Sequence, residues 1–140
     1  MGEEIWIDEE LEPDPRLNRI TNDIIAAAIE VHRALGPGHL EGVYQKAMEI
    51  ELAHRGIAFQ RQLDIQLTYR GEPVGTSRLD LLVEETIIVD LKAVDQLGPI
   101  HSAQLISYLS ITGHPLGLLI NFNVPALRQG IKRIAGRRRS

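Results

Sequence analysis

Arg78-Leu79-Asp80-Leu81-Leu82-Val83 and, beyond Glu84-Glu85-Thr86, Ile87-Ile88-Val89-Asp90-Leu91-Lys92 are two apolar runs with charged residues set into them. A reversal near Glu84-Glu85 turns them into a hairpin in which paired residue numbers sum to about 170, and this register sets Asp80 opposite Asp90, about 5–6 Å apart on one face. Lys92, two residues past Asp90, points to the same face. Two carboxylates that close on an otherwise buried strand are costly unless a cation neutralises them or one takes a proton. A divalent ion meets that need, and hard oxygen ligands favour magnesium or manganese (Mg2+ or Mn2+). The ordinary alternative is a solvated Asp90–Lys92 pair on an exposed strand face.

Working outward, Thr86 to Ala93 is apolar on both faces, the mark of a central strand covered by helices. Before the hairpin, Phe59, Leu63, Ile65, Leu67 and Tyr69 alternate with polar residues as a half-buried strand, and Arg70-Gly71-Glu72-Pro73 turns the chain into the strand Val74 to Val83. Two helices precede these strands. Asp14-Pro15 caps the first, with Leu17, Ile20, Ile24, Ala28, Val31 and Leu35 inward and Gly36-Pro37-Gly38 as its end. The second runs from about Leu40 to Arg55, with Leu40, Val43, Ala47 and Ile50 expected inward and Gly56 as its left-handed stop. After Gly98-Pro99 a third helix reaches Ile111 with Ile100, Ala103, Ile106 and Leu109 inward, and Gly113 ends it. Leu116 to Phe122 reads as a buried strand, and Val124, Leu127, Ile131 and Ile134 read as a last short helix. The order ααβββαβα predicts one α/β domain with a mixed sheet, over residues 14–136.

The 140 residues carry 15 Lys+Arg and 19 Asp+Glu, a net charge of -4. The charge is segregated. Seven acids precede Arg16 in a 1–13 arm and its Asp14 neighbour, and six bases with no acid occupy 128–140, ending in Arg137-Arg138-Arg139. Without that acidic start, 16–140 holds 15 bases against 12 acids. A nucleic-acid partner is therefore not excluded by the total. The arm at 1–13 is expected to be flexible, with Ile5, Trp6 and Ile7 as a small anchor, and 137–140 is a basic end. There is no cysteine, so thiolate metal sites are excluded and a reducing cytoplasmic setting is suited. No apolar run approaches the roughly 20 residues of a membrane span, and the acidic start is unlike a secretory signal. His32, His39, His54, His101 and His114 show no zinc-type pairing, although His101 could border the Asp80/Asp90 site. Gly36-Pro37-Gly38 lacks the Lys and the preceding strand of a phosphate loop.

Several ordered motifs share a resemblance. Val31-His32-Arg33-Ala34-Leu35-Gly36-Pro37 and Gly38-His39-Leu40-Glu41-Gly42-Val43-Tyr44 are similar to the signature of the GxxExxY (GxxExxR) family. The Asp80 and Asp90-Leu91-Lys92 strands, Ala103-Gln104-Leu105-Ile106-Ser107-Tyr108-Leu109 and Gly117-Leu118-Leu119-Ile120-Asn121-Phe122 continue it in order. That family lies in the PD-(D/E)xK nuclease-like superfamily, so the resemblance implies a restriction-endonuclease-like αβββαβ core. It also implies that Asp80, Asp90 and the carbonyl of Leu91 bind the metal and that Glu41 completes the site. Lys92 would orient or help deprotonate the attacking water, while Gln104 and Tyr108 would steady Lys92 or a phosphate. By residue type alone Glu41 could equally favour its helix N-terminus, and Gln104 with Tyr108 could be a local polar pair. The proline of the superfamily name is replaced by Leu79.

The leading expectation is a metal-dependent nuclease acting on DNA or RNA. A second reading is a non-catalytic nucleic-acid-binding or regulatory module that keeps the nuclease fold, with a homodimer or a partner protein supplying grip. A third is a subunit that docks through the acidic arm.

Overall fold

The structure, a computed structural model, describes residues 14–136; the acidic arm at 1–13 and the basic end at 137–140 lie outside the described residues. Asp14 caps α1 (Pro15–Leu35), its carboxylate accepting the Arg16 N–H at 2.8 Å, with Pro15 in the first turn. Ile20, Ile24, Ala28 and Val31 are buried as their spacing predicts. The helix stops at Gly36, whose φ of 70° suits a residue without a Cβ. α2 (Glu41–His54) follows, and then β1 (Phe59–Tyr69), β2 (Glu72–Val83), β3 (Ile87–Lys92), α3 (Pro99–Thr112) and β4 (Leu116–Asn121).

The five strands form one mixed sheet in chain order, antiparallel except for the parallel pairing of β3 with β4. β3 and β4 are buried on both faces, apart from the partly buried Lys92 at the end of β3. On one face α1 and α2 pack over Leu81, Val83, Ile87, Val89, Leu91, Leu118 and Ile120. On the other, α3 packs over Ile65, Leu79, Leu82, Ile88 and Leu119. The α/β class with a mixed sheet flanked by helices is as the sequence predicts.

Three expectations need correction. The last helix is instead one 3₁₀ turn, Leu127–Gly130, followed by β5 (Ile131–Ala135), which pairs antiparallel with β4. A helical stripe would aim Ile131 and Ile134 at one core, whereas a strand aims residues three apart at opposite faces. Ile131 joins the α1/α2 core and Ile134 packs against the α3 core. β5 also provides partners for the outer edge of β4, whose buried N–H and C=O groups need them.

The inward faces of two helices are rotated. On α2, Tyr44, Met48 and Leu52 are fully buried while Ile50 is 61% exposed and Val43 is exposed as well, and Leu40, just before the helix, is 80% exposed. Both stripes have helical spacing, and tertiary contacts choose between them. The Tyr44 ring stacks on Phe122 at 4.5 Å, and its hydroxyl donates to the Gly36 carbonyl at 2.5 Å and accepts from the His39 N–H at 3.2 Å. On α3, Leu105, Tyr108 and Leu109 are buried, whereas Ile100 is 72% exposed and Ala103 and Ile106 are also exposed.

Gly130 lies where β5 turns in, and a Cβ there would stand 2.1 Å from the Asn121 carbonyl oxygen. A Cβ at Gly42, inside α2, would meet nothing. Gly130→Ala is expected to cost about 2 kcal/mol or more by overpacking, and Gly42→Ala to be neutral or stabilising by up to about 1 kcal/mol. Urea unfolding of the two variants reads this difference, and equal midpoints would contradict it.

Candidate active site

The β2–β3 ladder pairs Leu81 with Val89, Leu82 with Ile88 and Val83 with Ile87. The two central residues of its turn, Glu84 and Glu85, both take positive φ, at 52° and 55°. One step beyond the ladder the same register sets Asp80 opposite Asp90, and there the strands part. The Asp80 carboxylate takes over from the ladder, with Oδ2 accepting the Leu91 N–H at 2.7 Å.

Asp80 is irregular on its other side too. β1 pairs Arg61 with Leu81 and Leu63 with Leu79, but the intervening pair, Gln62 with Asp80, drops out. Gln62 has φ 50°, a left-handed conformation unusual inside a strand. Across this point the odd-numbered positions change face. Phe59, Leu81 and Val83 belong to the α1/α2 side, and Leu63, Ile65, Leu67 and Leu79 to the α3 side. Asp80 therefore sits where both strands twist over, partly buried and free of ladder neighbours.

Asp90 is buried, with Oδ1 3.5 Å from Lys92 Nζ and Oδ2 without a hydrogen-bond partner. Burial pushes its carboxyl up to about 7; Lys92 pulls the other way, and the neighbouring Asp80 pushes it further up. Two ionised carboxylates have no proton to share, so the Asp80–Asp90 contact becomes a hydrogen bond only when one of them is protonated. The first turn of α2 brings in Glu41. Its residue is exposed to solvent, yet partial burial of the carboxyl raises its pKa, with Lys92 and His101 lowering it and Asp80 raising it. Glu41, Asp80, Asp90, Lys92 and His101 thus form one electrostatic cluster. Among the described residues, no three His, Asp or Glu side chains converge into a preassembled metal cage. The Asp80–Asp90 pair is in place, and Glu41 stands at electrostatic range.

Around the pair lies a polar framework that sequence periodicity does not reveal. Gln45 and Glu49, one turn apart on α2 and both buried, are joined by a 2.8 Å hydrogen bond from Gln45 Nε2 to Glu49 Oε2. Gln45 Nε2 also donates to the Asp80 carbonyl at 3.1 Å, and Arg61 Nε lies 3.0 Å from Glu49 Oε2. Burial would raise the Glu49 pKa, but hydrogen bonds from Gln45 and Arg61 hold it below the usual 4.5. Behind Lys92, buried Asn121 accepts the Val94 N–H at 3.0 Å and donates to the Val94 carbonyl at 2.9 Å, clamping the exit of β3. His101 Nδ1 accepts the Gly98 N–H at 2.9 Å. Its neutral form therefore carries the proton on Nε2. The i,i+4 spacing of Gln45 and Glu49 is readable in the sequence, but their orientation is not, because the Leu40–Ile50 stripe predicts a different inward face for α2.

The two remaining candidates are separated. Gln104 is exposed on α3, whereas Tyr108 is buried in the core beneath it. Among the described residues neither is hydrogen-bonded to Lys92.

The family model described as the PD-(D/E)XK nuclease superfamily matches residues 18–134. The chain belongs to that superfamily, whose members generally use divalent metal ions. No curated protein and no solved structure matches the chain. The residues fit a divalent ion by their own chemistry. The pair is all oxygen, one buried Asp90 oxygen lacks a partner, and Asp80 retains Oδ1 beyond the oxygen given to Leu91.

The sign of the pH dependence follows from Asp90. Its folded pKa of about 7 exceeds the ordinary 3.8, so between those values the folded state holds a proton that the unfolded chain releases. That stability is present below about pH 4 and is lost as pH rises through about 7. Without divalent ions, Asp90→Asn is expected to be more stable than wild type at pH 8 by about 1–3 kcal/mol, the difference vanishing near pH 4. Denaturant titrations at both pH values check this; a variant no more stable at pH 8 contradicts it.

Proposed function

We propose that the chain is a divalent-metal-dependent nuclease of the GxxExxY type that hydrolyses phosphodiester bonds of DNA or RNA. The observation that carries this reading is the pairing of buried Asp90 with partly buried Asp80, with the unpartnered Asp90 oxygen and Lys92 beside it. Asp80, Asp90 and the Leu91 carbonyl would hold Mg2+ or Mn2+, with Glu41 completing the set. When bound, the ion would activate water and neutralise phosphate charge.

The chain's own groups have separate tasks. Lys92 would orient the attacking water and offset the charge that builds on the phosphoryl oxygens. The water oxygen forms the new P–O bond while the bond to the leaving oxygen breaks. One proton leaves the water and one is taken up by the leaving oxygen, giving a phosphate end and a hydroxyl end. Gln104 has two offered roles, and its exposure favours the phosphate over Lys92. Buried Tyr108 would act by holding α3 against the sheet. Tyr44 secures the Gly36–His39 turn that leads into Glu41, which gives the tyrosine of the motif a structural purpose. A cytoplasmic location, and a second copy or partner protein for substrate grip, belong to the same proposal. No helix among the described residues is long and apolar enough to cross a membrane.

The second reading, a nucleic-acid-binding or regulatory module without catalysis, is motivated by the exposure of Glu41, which reaches Asp80 and Lys92 only at electrostatic range. Cleavage assays on single- and double-stranded DNA and RNA with Mg2+ or Mn2+ separate the two. The nuclease reading predicts that Asp90→Ala and Lys92→Ala each lose about 100-fold or more of the activity while remaining folded. Absence of cleavage by wild type, together with unchanged nucleic-acid binding in Asp90→Ala, would instead establish the second reading.

A further inference from the structure

Asp80 has an unusual backbone problem. Its neighbour across β1, Gln62, falls out of the ladder, and the β2–β3 ladder ends one residue short of it. A strand carbonyl in a partly buried position without a ladder partner costs free energy unless another donor reaches it. The donor is a side chain from α2, Gln45, at 3.1 Å. Gln45 is itself buried and restrained. Its amide nitrogen gives a second bond to Glu49 at 2.8 Å, and Glu49 is held from β1 by Arg61 at 3.0 Å. The chain Arg61–Glu49–Gln45 thus crosses from β1 through α2 to the backbone of Asp80, beside the left-handed Gln62. At its other end, the Asp80 carboxylate is steadied by the Leu91 N–H at 2.7 Å.

The geometry points to Gln45 as a positioning residue for Asp80, fixing the backbone from which that carboxylate reaches toward Asp90. This rests on the reading of Asp80 as a cation ligand. Gln45 touches no reacting atom; it acts by setting where Asp80 stands. Outer hydrogen bonds of this kind are worth about 10–100-fold in metal affinity where they have been removed from other sites.

The test uses the full chain with Mn2+ as the probe. Gln45→Met keeps length but removes the donor, and Gln45→Ala serves as a second variant should the first fail to fold. Leu52→Val, a core change on the same helix, controls for lost stability alone. Calorimetry is expected to show Mn2+ affinity falling about 10-fold or more in the Gln45 variant and holding in Leu52→Val. Amide exchange is expected to accelerate at Leu91 more than at Val89, a readout that needs no metal. Where wild type binds Mn2+, wild-type affinity in the Gln45 variant overturns the inference. Where wild type binds no Mn2+, the cation-ligand reading of Asp80 fails, and Leu91 exchange decides the positioning role: selective acceleration upholds it and no change overturns it.

Discussion

Two carboxylates face each other where β2 and β3 separate, and most of the local structure answers to that repulsion. Burial raises the pKa of Asp90 and leaves one of its oxygens without a partner. Asp80 stays partly accessible where the β1–β2 pairing skips it at the left-handed Gln62 and the β2–β3 ladder ends one residue short of it. Lys92 lies beside Asp90 but only at 3.5 Å, a partial offset for one of two charges. Such a pair is stable when protonated or when a cation sits between its oxygens. The fold supplies rigid surroundings for it: β3 buried between two helical layers, Asn121 clamping the exit of β3, and Tyr44 tying down the turn that delivers Glu41.

That Asp80 comes to stand opposite Asp90 could be counted from the primary structure because a short reversal at Glu84-Glu85 admits few registers and each strand has period two. The central strands and α1 were legible for a similar reason, since each has one apolar pattern and clear end signals. α2 and α3 were not, as each carries more apolar residues than one face needs. Tyr44 settles α2 through its stack on Phe122 and its bond to Gly36, contacts made across the fold rather than along the helix. The terminal segment misleads because Leu127, Ile131 and Ile134 fit a helical stripe, while the unfilled edge of β4 demands a strand. The ladder gap at Asp80, and with it the task of Gln45, depends on three chain segments meeting and leaves no local signal.

Charge takes on a different meaning with this geometry in place. Three of the acids behind the net charge of -4 are Glu41, Asp80 and Asp90, gathered in one cluster. A bound divalent ion would cancel two of those charges and make the site hospitable to a phosphate diester. Leu40, which caps α2, and Ile50 on it are exposed apolar residues of the stripe whose spacing predicts a core face.

The central claim is that the Asp80–Asp90 pair exchanges a proton for a cation. Calorimetry of Mn2+ binding near pH 6, in buffers of differing ionisation enthalpy, measures that exchange directly. The account predicts release of about one proton per ion bound, falling toward zero by about pH 9, because Asp90 gives up its proton to the metal. Binding with no proton release near pH 6, or no binding at all, would contradict it.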